Sequence, residues 1–254
     1  MTVFLRLGIL LAGLLFLPTI TAGLDVFAAN GSRPQNDRPR TMKNTGDDSP
    51  TGLVNPKKDG GHIVDRLLQK RILSGRAQLV DVRKALGTPS VGALTNTVHA
   101  LYAMRWHRGV HTILLAMWRS SEKDHLDYPE LAWDLILRPA TRIAVAATLN
   151  RLYPGNPEYR KYIRAHANDA HEFHRAQVAI ALGLNHDPAD VKYLVRLVNE
   201  ENHYVIQSAI TALALMDEEA ARLALVGLQK KYTSDPRGQL ISEVLKRAYP
   251  PIIR

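Results

Sequence analysis

The chain contains no cysteine. That removes disulfide frameworks, thiolate zinc sites, a cysteine nucleophile and a lipid-bearing N-terminal cysteine. It leaves the compartment open, because an exported domain with an adequate core stands without disulfides. Aromatic residues make up only 6% of the 254 residues while Ala and Leu abound, a balance that favours helices over strands. Also missing are a Gly-rich phosphate loop, a Gly-x-Ser-x-Gly elbow, a His-Glu-x-x-His pair and paired carboxylates on a helix face. With those signatures absent the chain reads as non-enzymatic. The rest of its composition, 46% hydrophobic and 22% charged, is that of an ordinary globular protein.

Long apolar runs are scarce as well. The stretch Leu7 to Leu17 is unbroken apolar or Gly, follows Arg6, and ends at Pro18 before the small residues Thr21-Ala22-Gly23. A membrane span takes about 20 apolar residues, more than this run offers. A basic start, a short apolar stretch and small residues fit a secretory signal over 1–23, cleaved between Ala22 and Ala29. The alternative is an uncleaved N-terminus that keeps the protein at the membrane. Residues 24–61 are polar and rich in Pro and Gly, with six Lys/Arg against five Asp. Such a segment buries too little to offset its ordering entropy and reads as a disordered spacer. The expected location is the periplasm or the cell exterior.

From His62 to Arg254 the pattern is helix after helix, and the C-terminal half repeats itself. Ala147-Thr-Leu149, Ala181-Leu182-Gly183, Ala212-Leu213-Ala214 and Val244-Leu245-Lys246 place their leucines 33, 31 and 32 residues apart. A period in the thirties, with a small residue before a buried leucine, predicts stacked helical hairpins, hence an all-α fold, an α-solenoid. Ala100-Leu101 reads as an earlier copy, 48 residues before Leu149, with an inserted helix at about 120–138 taking up the extra length. Within 188–198, Val191, Leu194, Val195 and Val198 share one face, and Asp187-Pro188 supplies a helix start.

The run Arg175-Ala-Gln-Val-Ala-Ile-Ala-Leu-Gly, followed by Asp187-Pro188 and a Leu/Val-rich helix, resembles a HEAT-like repeat of the phycobilisome-lyase type. Arg142 matches the same Arg position 33 residues earlier, whereas Ile206 occupies it in the next repeat. Asp217 repeats the turn Asp of Asp187 without its Pro, and Asp235-Pro236 opens the last helix. The resemblance covers about 139–248. It implies helical-pair repeats that most often bind proteins and in a few cases serve in lyases.

Two candidate surfaces emerge. Aligning the second helices of the hairpins by their apolar stripes puts His111, Arg160, Lys192 and Arg222 at one position, with Arg164 and Arg196 one turn on. If second helices line the concave side, these six form a positive stripe, on a segment whose 26 Lys/Arg against 19 Asp/Glu give +7. Such a stripe attracts an acidic partner; the alternative is an ordinary solvated face. Trp106, Trp118 and Trp133 could gather into an aromatic surface near the insertion, or simply fill core and interface. His107 and His111, four apart, could share a metal, as could His166, His171 and His174 with Asp169 and Glu172. No His-Glu-x-x-His accompanies them and the second group straddles a loop, so no metal or cofactor is assigned. The reading is a non-catalytic protein-interaction scaffold with an acidic protein partner and no assigned oligomeric state. The alternatives are a basic nucleic-acid-binding or DNA-repair protein, disfavoured by the export signal, and a lyase-like or metal-dependent activity.

Overall fold

Helix caps placed by sequence divide the chain into its elements. In a computed structural model, residues 71–249 apart from 73 are described, all within the unit Asp65–Arg254. The expected signal segment 1–23 and spacer 24–61 lie outside them. The helices are α1 (Leu79–Leu86), α2 (Val91–Ala100), α3 (Arg108–Arg119), α4 (Glu122–Asp127), α5 (Trp133–Ile136) and α6 (Pro139–Leu152). They continue as α7 (Pro157–Ala165), α8 (Glu172–Asn185), α9 (Val191–Val198), α10 (His203–Leu215), α11 (Glu219–Lys231) and α12 (Pro236–Ala248). No strand occurs among the described residues. The fold is an α-solenoid.

Starts and stops follow local chemistry. Asn156, Asn202 and Asp235 accept hydrogen bonds from the first-turn amides of α7, α10 and α12, and Pro stands at the start of α6, α7 and α12. Asp187 caps a single 3-10 turn, Pro188–Asp190, that leads into α9. Asp217 does not repeat that role. It adopts φ 50° just after α10, and Glu218 precedes α11 without a side-chain cap. Ser120 and His186 take the same left-handed conformation and terminate α3 and α8.

The hairpins are α2/α3, α6/α7, α8/α9 and α10/α11, with α12 closing the stack. First helices pack directly on one another: α2 on α6, α6 on α8, α8 on α10, α10 on α12. Leu101, Leu149, Leu182 and Leu213, the leucines that set the period, are fully buried, while Leu245 on the terminal helix is only partly so. Small residues let this layer close up. A Cβ placed on Gly183 would stand 2.7 Å from the Ala212 Cβ and 2.9 Å from the Ala212 carbonyl oxygen. Helix α6 is enclosed along nearly its whole length, and its buried Thr148 hydroxyl donates to the Val98 carbonyl of α2 at 3.1 Å.

Across α6, side chains of its two flanking first helices come together, His99 from α2 and Gln177 from α8. The expected single helix at 120–138 is instead two short ones. Asp124 closes α4 with a capping box on Ser121 and an ion pair to Arg119 at 2.7 Å, while Leu131 and Ile136 enter the core.

Candidate binding surface

The six basic residues of the expected stripe sit on the second helices, and most have polar partners. Arg160 pairs with Asp187 at 2.6 Å. Arg164 reaches both Asp187 at 3.1 Å and the fully buried Asp190 at 2.5 Å. Both arginines thus strap α7 to the turn that opens α9. Arg196 donates to the Ala167 carbonyl at 3.0 Å, a bond back to the preceding hairpin. Arg222 is clasped by Glu219 of its own helix. His111 lies between the Tyr153 hydroxyl at 2.7 Å and the Arg105 carbonyl at 2.5 Å. Lys192 and Arg196 are both exposed and outside any ion pair among the described residues, and of the two only Arg196 is held by a hydrogen bond, while Lys192 lies near the Tyr193 ring. Arg160, Arg164, Arg196 and His111 thus serve as links between hairpins.

The tryptophans do not gather either. Trp118 is wedged edge-on against Tyr159 and Tyr162, with the Arg142 guanidinium 5.1 Å from its ring, and it joins α3 to α7. Trp133 stacks on His125 within the insertion and donates its indole N–H to the Tyr128 carbonyl. Trp106 is different: it is 79% exposed. The histidines mostly serve the backbone. His107 and His171 cap α3 and α8, His166 bonds the Tyr162 carbonyl, and His174 pairs with Asp169 at 3.1 Å. Among the described residues no three potential ligand side chains converge on a metal position.

Trp106 belongs to a corner that no single segment announces. A 3-10 turn, Leu101–Met104, ends α2 and projects Arg105 and Trp106 beyond it. The Arg105 guanidinium lies 3.9 Å from the Trp106 ring centroid and 5.2 Å from that of Tyr102. The Arg151 guanidinium, from the end of α6, lies 3.6 Å from the Tyr102 centroid. Burial is the main influence on Arg151, pulling its pKa down to about 10, so it stays charged at neutral pH. Beyond Arg151 is His99, whose pKa burial, then the charge of Arg151, brings to about 4. The ring is neutral at pH 7. Neither of its nitrogens has a hydrogen-bond partner, and the Gln177 amide approaches without closing a bond of normal length.

Residues 136–238 match the family described as HEAT repeats. This stretch is HEAT-like. No curated protein matches the chain. The HEAT-like segment begins in α5, takes in the three hairpins from α6 to α11, and ends in the first turn of α12. Within it the recurring Arg of the first helix holds the end of the preceding hairpin. Arg142 donates to the Ser120 hydroxyl and the Trp118 carbonyl, and Arg175 to the Asp169 and Ala170 carbonyls and to Glu200. Ile206, buried, makes no such bond. Gly238 takes the position 32 residues on, and the adjacent Arg237 packs over Tyr232 at 4.7 Å.

Proposed function

We propose that the protein is a non-catalytic scaffold that holds a partner protein at the Trp106 corner, acting outside the cytoplasm as its N-terminal sequence suggests. HEAT-like repeats are commonly protein-interaction scaffolds, and the inter-hairpin links described above give this stack a fixed geometry. One observation carries the reading. Trp106 exposes 79% of its surface, yet its ring is covered on one side by the Arg105 guanidinium. Leaving so large an apolar ring in water, in a held position, is the arrangement of an interface anchor. Arg105 is itself fixed from behind, because its carbonyl is bonded to His111.

The test is affinity capture by the full chain from a native extract, compared with Trp106→Ala and Trp133→Ala, with the bound proteins identified by mass spectrometry. A central aromatic anchor is worth about 2 kcal/mol or more, roughly a 30-fold loss of affinity on truncation. Trp106→Ala should lose a specific partner that Trp133→Ala retains. Identical captured sets from all three proteins would defeat the proposal. Export is tested separately, by mapping the mature N-terminus, expected between Gly23 and Asn30.

A further inference from the structure

The Trp106 corner leads inward to a group of side chains with an uneven balance of charge. Arg105 and Arg151 share the Tyr102 ring, and each is near enough to feel the other's charge. Neither has a carboxylate within ion-pair distance among the described residues. The inter-hairpin arginines of α7 and α9 have, by contrast, a carboxylate or carbonyl partner. The guanidinium of Arg151 rests on a flat aromatic face, which fixes its plane and leaves its N–H edge to meet something else.

Next to it are buried polar atoms without partners. His99 has two such nitrogens, and Gln177, 2% exposed on α8, has an unpartnered Oε1. Leaving a buried polar group unsatisfied costs about 1–3 kcal/mol, and a partly buried unpaired charge costs more. Folds keep such costs where a ligand relieves them. Helices α2, α6 and α8 and the 3-10 turn after α2 supply the members of this group, and they meet because α2 and α8 converge across α6.

We propose that His99, Tyr102, Arg151 and Gln177 receive a carboxylate from an acidic segment of the partner protein, with Trp106 packing on an adjacent residue of that segment. This rests on the scaffold reading above. A carboxylate is planar and takes two parallel N–H bonds from a guanidinium held in one plane. The imidazole N–H and the Gln177 amide N–H, turned over, supply donors to its remaining lone pairs. The charge that the fold leaves unneutralised is then neutralised by the ligand.

A labelled decaglutamate peptide is the probe, followed by fluorescence anisotropy with the full chain. The variants are Arg151→Gln and, as an exposed cation elsewhere, Lys192→Gln. Arg151→Gln should weaken binding about 10-fold or more, since it strands a desolvated carboxylate. Lys192→Gln should change it less than about twofold. Arg151→Gln should also melt no lower than wild type, because it removes a charge the fold leaves unpaired. Equal losses in both variants would mean net charge alone and would overturn the site. So would a lowered Tm with unchanged affinity, which marks Arg151 as structural, or no peptide binding by wild type. Inorganic tripolyphosphate displacing the peptide more readily than unlabelled decaglutamate would show a phosphate site instead. If Trp106→Ala loses its partner but Arg151→Gln keeps both peptide and partner, the carboxylate site fails and the scaffold stands.

Discussion

Gly183→Ala sets two effects of opposite sign against each other. In an exposed helix interior the exchange stabilises by about 1 kcal/mol, because Ala fixes its backbone at less entropic cost. At Gly183 the new Cβ would sit 2.7 Å from the Ala212 Cβ, 2.8 Å from its Cα and 2.9 Å from its carbonyl oxygen. Normal carbon–carbon contact is about 3.5–4.0 Å. Backbone atoms cannot swing aside as a side chain can, so α8 and α10 must separate by several tenths of an ångström. Overpacking of this kind costs about 1–3 kcal/mol and, against backbone, belongs at the upper end. The net is a loss of about 2 kcal/mol, or about 4–8 °C in Tm for a domain of this size. Gly227→Ala is the control. It lies in α11, where a Cβ would meet nothing within 4 Å, so propensity acts alone and Tm should rise. Thermal and urea unfolding of the two variants decide the matter, with Ala212→Gly in the Gly183→Ala background expected to recover part of the loss. If both single variants gained stability alike, α8 and α10 would not be in backbone contact at Gly183 and the packing argument would collapse.

Other perturbations test the remaining links. Arg164→Met leaves Asp190 buried without its partner and should cost about 3 kcal/mol by urea unfolding, whereas Lys192→Met should stay within about 0.5 kcal/mol; equal effects would contradict the strap assignment. His99 stays neutral in the folded state down to about pH 4, while an unfolded chain protonates it near 6.5. Its contribution is therefore complete above that unfolded value and is lost as pH falls toward 4, by about 2–3 kcal/mol, the lower end because the ring is only partly enclosed. His99→Gln should flatten that part of the stability–pH curve, and an unchanged slope would show the ring to be accessible to protons.

The repeat period was legible because each copy carries its own leucine at the same point of the same helix, so spacing alone exposes it. The electrostatics were not. Aligning helix faces finds Arg160, Arg164 and Arg196 on one side, but their partners Asp187, Asp190 and the Ala167 carbonyl lie 23 to 29 residues away, in the adjacent hairpin. A face that looks solvated in one helix is thus an inter-hairpin joint in the stack. The close packing of the first helices was hidden for a related reason, because it rests on Gly183 meeting Ala212 across 29 positions. Tyr102, Arg151, His99 and Gln177 are unremarkable singly, and convergence over α6 alone makes them a site. Among the tryptophans, sequence proximity suggested a cluster, but α3, the insertion and the turn after α2 each claim one.

The links between hairpins differ from joint to joint. Between the hairpins of α6/α7 and α8/α9 the tie is ionic, two arginines on Asp187 and Asp190. Between α8/α9 and α10/α11 it is carried by the neutral Asn199, whose side-chain oxygen accepts from Lys231 at 2.7 Å and from the Tyr232 hydroxyl at 2.6 Å. Salt screens the more exposed Arg160–Asp187 pair and leaves the tyrosine bond almost untouched. Ionic strength therefore acts on these two ties unequally, weakening the one nearer the Trp106 corner and sparing the one toward the C-terminal end.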